Sequence, residues 1–203
     1  MHRLNQLLTE SNSAPLPPDL EAKFSAYLTL LQKWNAKTNL TSIRDEEGIL
    51  SRHFLESILA ARSLPQGIAT LLDFGSGAGF PGLPIALIRP EIEVTLAESQ
   101  NKKAAFLREA IRVLDLPTKV HAERAETLTQ QFDCVTLRAV DNMAAALPAA
   151  INLIAPNGIL AILTTTTALP EIESNSEYRN LQSQQSEPLP KGSNRILLTA
   201  NKP

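Results

Sequence analysis

Apolar residues follow two different periods along the chain, and the period changes near residue 69. Before it they recur at three- and four-residue steps, which predicts one helix opening at Pro18 and a second over about 45–62. The stretch before Pro18 predicts a short helix and then a flexible lead-in loop. Residues 1–62 are therefore expected to form a helical addition to a core over 63–203.

After residue 69, short apolar runs alternate with amphipathic segments. The predicted strands cover about 69–74, 92–97, 118–122, 133–138 and 158–163, and the predicted helices about 82–88, 101–114 and 142–153. This alternation predicts an α/β fold with a mostly parallel sheet covered on both faces. The polar stretch 171–186 predicts a helix followed by a loop. A last strand over 194–199, paired with one near 185–189, would form an antiparallel C-terminal edge hairpin.

The first core strand ends in a glycine-rich turn, D-F-G-S-G-A-G-F-P-G, which begins at Asp73. Gly75, Gly77 and Gly79 permit positive φ and let a ligand approach the backbone closely. Glu98 lies 23 residues after Gly75 and ends the second predicted strand, where its oxygens could accept both hydroxyl hydrogens of a ribose. The alternative is a tight turn beside a solvated acid.

Two adenosine-bearing cofactors compete for this turn. Residues 77–82 formally match the dinucleotide pattern G-x-G-x-x-G. However, Pro81 and Pro84 remove two of the helix N–H groups that a pyrophosphate needs. S-adenosylmethionine has no phosphate, so the turn favours this methyl donor. Asp73 would meet its ammonium group directly or through water.

Four further candidate residues follow predicted strands or lie on the second predicted helix. Ala125 and Glu126 stand where an adenine edge would lie, although a charged helix start explains them equally well. Arg138 ends the fourth strand as either a hydrogen-bonding clamp beside the methyl group or an ion-pair partner, and we favour the clamp, a positioning role. His53 has no visible acid–base partner and is interpreted as structural.

Composition and charge limit the kinds of protein and of binding site that this chain can form. The chain has 203 residues, 43% hydrophobic and 20% charged, with a net charge of -2, so a polyanion would have to bind a local patch. The single cysteine, Cys134, excludes a disulfide framework and a cysteine zinc site. No apolar run approaches the roughly 18 residues of a membrane span, and the N-terminus lacks a signal peptide. We expect a cytoplasmic monomer with no metal and no membrane contact.

Several motifs in order resemble one family, the bacterial small-subunit ribosomal RNA guanine-N7 methyltransferases, also called the glucose-inhibited division protein B family. The resemblance covers about residues 18–160. Its motifs are Asn39-Leu40-Thr41, Arg52-His53-Phe54-Leu55-Glu56-Ser57, the run from Asp73 to Pro84, Lys102-Lys103-Ala104-Ala105-Phe106-Leu107, Arg124-Ala125-Glu126, Phe132-Asp133 and Arg138-Ala139.

This resemblance implies a class I, Rossmann-like methyltransferase fold that uses S-adenosylmethionine. It also implies methylation of one guanine in the decoding region of 16S rRNA, either in the RNA alone or in the 30S particle. By position, the family's cofactor contacts fall on Gly75, Phe80, Ala125, Glu126 and Arg138. The chain departs from the family pattern at Glu56, at Leu137 and at the threonine run 164–167, where a lysine-glycine pair is usual.

The chemistry of guanine N7 agrees with the resemblance. N7 carries a free lone pair, so the enzyme needs no general base and only has to hold it in line, about 3 Å from the methyl group. Cys134 lies inside a predicted strand, which argues against the cysteine nucleophile of cytosine-C5 methylation. A methyltransferase for a small molecule or protein, and a non-enzymatic nucleotide-binding module, remain as alternatives.

RNA binding would depend on local positive charge, since aromatic residues make up only 4% of the chain. The alternative for each basic position is a solvated helix face. The candidate positions are Lys33, Lys37, Arg44, Arg52, Arg62, Lys102, Lys103, Arg108 and Arg112.

Overall fold

The computed structural model describes residues 1–139 and 142–203; Val140 and Asp141, which follow the fourth predicted strand, lie outside the described residues. The N-terminal part is helical. Its elements are α1 (His2–Glu10), α2 (Pro18–Thr38), the single turn α3 (Glu46–Gly48), a π-helix (Ile49–Leu55) and α4 (Glu56–Ser63).

Strands and helices then alternate. The remaining elements are β1 (Thr70–Phe74), α5 (Gly82–Ile88), β2 (Glu93–Ala97), α6 (Asn101–Leu114), β3 (Lys119–His121), a 3₁₀ turn (Ala125–Thr127), β4 (Phe132–Arg138), α7 (Met143–Asn152), β5 (Ile154–Thr165), α8 (Leu169–Ser174), α9 (Ser176–Arg179), β6 (Gln182–Pro188) and β7 (Arg195–Asn201).

The strands form a seven-stranded sheet in the order β3-β2-β1-β4-β5-β7-β6. Strands β1 to β5 are parallel, and β7 and β6 continue the sheet antiparallel. Leu71 and Leu72 point to opposite faces of β1 and are both fully buried, because helices cover the sheet on each side. The predicted α/β class, the parallel core and the antiparallel edge hairpin are confirmed.

The N-terminal segment is packed against the rest of the chain, so the expected flexible lead-in is wrong. Leu4 and Leu8 of α1 are fully buried, and Leu16 in the following loop is nearly so. They belong to the same apolar cluster as Phe24 of α2 and Leu71 of β1. Burial of these leucines outweighs the turn-forming composition of the loop.

The predicted second helix is present over residues 46–63, but it is α-helical only at its two ends. Residues Ile49–Leu55 form a π-helix between two α-helical pieces. The Arg138 guanidinium, at the end of β4, donates to the carbonyl oxygen of Arg52 inside this π-helix. Apolar spacing within the helix could not reveal this long-range contact.

The polar stretch 171–186 also differs from the prediction of a helix and a loop. It contains most of α8, all of α9 and most of β6; the residues of β6 are all exposed. Pairing with β7 supplies the backbone hydrogen bonds of β6, so the strand needs no apolar alternation. Among the described helices, none offers the length of apolar sequence that crossing a bilayer requires.

Candidate active site

A crevice of about 460 Å³ opens at the carboxyl ends of β1 and β2, beside the start of α7. The sheet order reverses between β1 and β4, and ligands of open α/β sheets bind at such a point. The lining residues are Phe74, Gly75, Ala97, Glu98, Ser99, Glu123, Arg124, Ala125, Glu126, Asn142, Ala145 and Ala146.

Glu98 is held rigidly at the wall of this crevice. Its Oε2 accepts a hydrogen bond from the Gly77 amide at 3.0 Å, and its Oε1 accepts one from the Gln100 amide at 2.7 Å. A carboxylate offers about four lone-pair sites, so each oxygen keeps acceptor capacity for a ligand hydroxyl. The side chain that was expected at the tip of the second strand therefore lies beside the glycine turn.

Glycine is required at the three positions of the turn for different structural reasons. Gly77 has a φ of +57°, and the nearest atom to an added Cβ would be 3.9 Å away, so only its backbone conformation demands glycine. Gly79 has a φ of +90°, and a Cβ there would lie 2.5 Å from Leu83 Cδ1 and 2.8 Å from Tyr27 Oη. Gly75, with a φ of +76°, lines the crevice itself.

The backbone amides around the start of α5 already donate hydrogen bonds within the protein, so they are not available to bind a pyrophosphate. Pro81 and Pro84 carry no N–H group. The remaining amides make internal hydrogen bonds: Gly79 and Phe80 donate to Ser76 O, Gly82 donates to Asp73 Oδ2, and Leu83 donates to Gly79 O.

The charges lining the crevice are mostly negative. Glu98, Glu123 and Glu126 contribute carboxylates, whereas Arg124 contributes a single guanidinium. This balance repels a dinucleotide's phosphates and attracts a cationic ligand that also carries hydroxyl donors. Ala125 is buried at the 3₁₀ turn after β3 and Glu126 is exposed beside it, so both predicted positions reach the crevice.

Asp73 lies beneath the turn and is 1% exposed. Its Oδ1 accepts from Thr136 Oγ1 at 2.9 Å, and its Oδ2 accepts from the Gly82 amide at 3.1 Å. Burial raises the pKa of Asp73 to about 6, against the lowering effect of these hydrogen bonds. The described contacts tie β1 to β4 and α5, and contact with a ligand ammonium stays a prediction.

Arg138 is buried at the end of β4 and makes ion-pair contacts. Its Nη2 lies 3.2 Å from Glu56 Oε2 and also donates to Arg52 O. Its Cζ lies 5.9 Å from the centre of the Phe80 ring. Nε of Arg138 is buried without a hydrogen-bond partner among the described residues. The structure thus shows the ion-pair alternative, while a clamp on a ligand stays a prediction.

Sequence reasoning missed the role of Glu56. Its carboxylate is almost fully buried and contacts three guanidinium groups, those of Arg52 and Arg195 at 3.1 Å and that of Arg138 at 3.2 Å. Arg195 stands 139 positions away along the chain. Only the Arg52 contact, one helical turn away, has a signal in the sequence.

An aromatic stack supports the glycine turn from the helical segment. Phe80 lies between the His53 ring, with ring centres 4.6 Å apart, and the Tyr27 ring at 5.3 Å. Tyr27 Oη donates to the carbonyl oxygen of Ala78 at 2.6 Å. Burial, with smaller effects from three arginines, lowers the pKa of His53 to about 3, so its ring is neutral and stacks without charge. Sequence reasoning missed Tyr27 because it matched the core stripe of α2.

The basic candidates separate into groups. Arg44 donates to Asn39, Arg52 contacts Glu56, and Arg62 donates to Ser13. Lys102 and Lys103 lie in the first turn of α6. Four others line one groove between α2 and α6: Lys33, Lys37, Arg108 and Arg112. Within residues 1–139 and 142–203, no three His, Cys, Asp or Glu side chains come together as a metal site.

Comparison of the sequence with family models and with known proteins identifies one family. A family model described as GidB, rRNA small subunit methyltransferase G, matches residues 20–197. A Roseiflexus sp. protein named ribosomal RNA small subunit methyltransferase G is 50% identical over 129 residues, which are 60% of this chain and 55% of that protein. A Xanthomonas oryzae protein of the same name is 37% identical over 197 residues, 84% of this chain and 92% of that protein.

A solved structure, M. jannaschii TYW2 in complex with AdoMet, superposes with a TM-score of 0.61 at 14% identity. The superposition covers 79% of this chain and 78% of that one. At this identity the likeness concerns the fold alone.

Proposed function

The chain belongs to the GidB family of small-subunit rRNA methyltransferases, and on that premise we propose that it transfers a methyl group from S-adenosylmethionine to N7 of a guanine in 16S rRNA. The substrate is the decoding region of the small-subunit RNA, as RNA or within the 30S particle. We further propose that the protein works as a cytoplasmic monomer.

The observation that carries the proposal is the negatively charged crevice around the fixed carboxylate of Glu98. S-adenosylmethionine supplies an electrophilic methyl group on a sulfonium, together with a ribose and an ammonium group. The crevice matches that chemistry, because it offers carboxylates to the cation and to the hydroxyls, and because Gly75 in its lining has no Cβ atom. NAD is disfavoured at the same place, because the amides around the start of α5 already donate hydrogen bonds within the protein and the excess of carboxylates repels phosphates.

In this proposal the residues bind and orient rather than transfer protons. Glu98 accepts the ribose hydroxyls, Ala125 and Glu126 contact the adenine edge, and Asp73 attracts the ammonium group from beneath the turn. The stacking of Phe80 on His53 holds the end of the glycine turn in place. Arg138 positions the reacting groups from the end of β4. Guanine N7 has its own lone pair, so holding it in line is sufficient for transfer.

The test is methyl incorporation into 30S particles that lack N7-methylguanine, with Arg138→Ala and Gly75→Asp as variants and Arg179→Ala on α9 as control. We expect incorporation with the wild type and the control and none with the two variants. Folding is checked by thermal unfolding, and S-adenosylhomocysteine binding is measured alongside. Full activity in both variants would remove the site assignment.

Two other outcomes would contradict the proposed function and favour a different one. No incorporation by a wild type that still binds S-adenosylhomocysteine would favour a small-molecule or protein substrate. Thermal stabilisation by NAD, without any by S-adenosylhomocysteine, would favour a nucleotide-binding module instead.

A further inference from the structure

A second concave surface lies between α2 and α6, outside the crevice. This α2–α6 groove has a volume of about 740 Å³. Two cations from each helix line it, Lys33 and Lys37 from α2 and Arg108 and Arg112 from α6, and all four are exposed. Trp34 also lines the groove; it is half-buried, and its ring centre lies 5.7 Å from that of Phe106.

Positive charge is concentrated in the α2–α6 groove although the whole chain has a net charge of -2. The single acid in its lining is Glu109, whose carboxylate is already paired with Arg112 at 2.8 Å. Four cations against one acid leave a net charge of +3 in the groove. The two residues from each helix are one turn apart, so the cations form two rows along the helices.

The groove and the crevice are connected by α6. This helix begins at Asn101, three residues after Glu98, and runs away from the crevice towards Arg112. Lys102 shares a helix face with Glu109 and Arg112, because the intervening steps are seven and three residues. At about 1.5 Å per residue, Lys102 and Arg112 are roughly 15 Å apart along the axis. A chain of negative charges lying along α6 would therefore reach the crevice.

We propose that the α2–α6 groove binds the phosphate backbone of the substrate RNA, as an anchor separate from the reacting guanine. The proposal rests on the proposed function, which supplies an RNA substrate. Arginine and lysine bind phosphate through charge-assisted hydrogen bonds, and such contacts position a nucleic acid without reading its sequence. Trp34 adds an aromatic side chain to the same groove, and single-stranded RNA sites combine aromatic and basic side chains in this way.

An acidic protein segment is the competing occupant of such a groove. RNA is favoured because its negative charges are regularly spaced along a backbone. The cations of the groove are likewise spaced in two rows along the helices. RNA is also favoured because α6 leads from the groove to the edge of the crevice, beside which a base must be held. The test separates the two by using one polymer of each class.

Trp34 makes the test direct, since it is the only tryptophan of the chain. Its fluorescence and its quenching by acrylamide report on groove occupancy. Poly(U) is a suitable probe, because phosphate contact carries no sequence information. We expect poly(U) to protect Trp34 from acrylamide, and protection by poly-glutamate but not by poly(U) would assign the groove to an acidic protein and overturn the proposal.

The salt dependence of binding then counts the phosphate contacts. Lys33→Gln/Lys37→Gln should weaken poly(U) binding about tenfold or more at low salt, and should lower the slope of log K against log salt by about 1.4, since each contact with a single strand contributes about 0.7. A merely structural effect would lower affinity without changing the slope. The control, Lys23→Gln/Arg179→Gln, removes two charges outside the groove and should leave the slope unchanged.

Methylation of 30S particles distinguishes this proposal from the proposed function. The groove variant should raise the KM for 30S particles with kcat and S-adenosylhomocysteine affinity close to wild type. If the wild type methylates the particles and the groove variant matches the control in KM and slope, the groove proposal fails alone. If the groove variant shows the expected slope change with poly(U) but the wild type methylates nothing, the proposed function fails, while phosphate binding by the groove stands for an RNA of another kind.

Discussion

The carboxylate of Glu56 and the guanidinium of Arg138 form a buried ion pair, with 3.2 Å between Oε2 and Nη2. The two residues are 82 positions apart and join the start of α4 to the end of β4. Arg52 and Arg195 contact the same carboxylate, so one acid holds three guanidinium groups beside the aromatic stack under the turn.

Removing this acid should destabilise the protein strongly. Glu56→Ala leaves the buried Arg138 charge uncompensated, which typically costs about 3–5 kcal/mol of the free energy of unfolding. Urea unfolding measures the loss. The matched control is Glu47→Ala, which removes an exposed partner of Arg3 and should change stability little. Equal losses in the two variants would mean that the buried cluster is not a stabilising contact.

An alanine at Gly79 should damage the turn beyond the effect of its backbone conformation. Gly67 has nearly the same φ, +88° against +90°, but open space where a Cβ would be. Both Gly67→Ala and Gly79→Ala should lose about 1–2 kcal/mol for the left-handed conformation. Gly79→Ala should lose a further 1–3 kcal/mol or so through contact with Leu83 and Tyr27.

The same pair of variants also tests the turn as a cofactor site. Only Gly79→Ala moves the backbone that Tyr27 holds through Ala78. S-adenosylhomocysteine affinity, measured by calorimetry, should fall in Gly79→Ala and stay at the wild-type value in Gly67→Ala. Equal affinities would show that the clash is absorbed by the Leu83 side chain.

Glu98→Gln should weaken S-adenosylhomocysteine binding. An amide presents an NH₂ group to the Gly77 or Gln100 amide, where the carboxylate accepts hydrogen bonds from both. Hydrogen bonds to a charged group are worth about 1.5–3 kcal/mol, so we expect about a 10- to 100-fold loss of affinity. Glu93→Gln, at the other end of β2, is the control. Unchanged binding by Glu98→Gln would contradict a ribose contact.

His53 should make the protein sensitive to acid. Its pKa is lowered from 6.5 to about 3 in the folded state, chiefly by burial, so the unfolded chain takes up a proton first as the pH falls below 6.5. Stability is therefore lost as the pH falls from 6.5 towards 3. At pH 4.5 the loss should be about 2–3 kcal/mol relative to pH 7.5.

The variant His53→Gln isolates this effect, because glutamine stays uncharged throughout the range. The difference in unfolding free energy between wild type and variant should change by that amount from pH 7.5 to pH 4.5. The raised pKa of Asp73 acts in the opposite direction, but it is present in both proteins and cancels. His2→Gln, at an exposed position, should show no such change. A pH-independent difference for His53→Gln would mean that the ring takes up a proton as readily in the folded protein as in the unfolded chain, which would contradict the lowered pKa.

Local features of the chain predicted the sheet and its glycine turn. The predicted bounds of α5 and α6 are the observed ones, because α6 shows the spacing of a helix that buries one face and α5 is a short apolar segment that is buried on almost all sides. The positive φ angles at Gly75, Gly77 and Gly79 could be predicted from the residue type alone, because residues other than glycine rarely adopt that conformation. The division at residue 62, the site roles and the RNA contacts stay predictions.

By itself, the sequence determined the order of strands and helices, the turn after β1 and the acid after β2, because each depends on residues close together in the chain. Only the tertiary structure decided what surrounds them. Glu56 meets Arg195 across 139 positions, Tyr27 supports the turn from α2, and two helices form the α2–α6 groove. Such contacts depend on how separate elements pack, and no local pattern of apolar and polar residues specifies which side chains then meet.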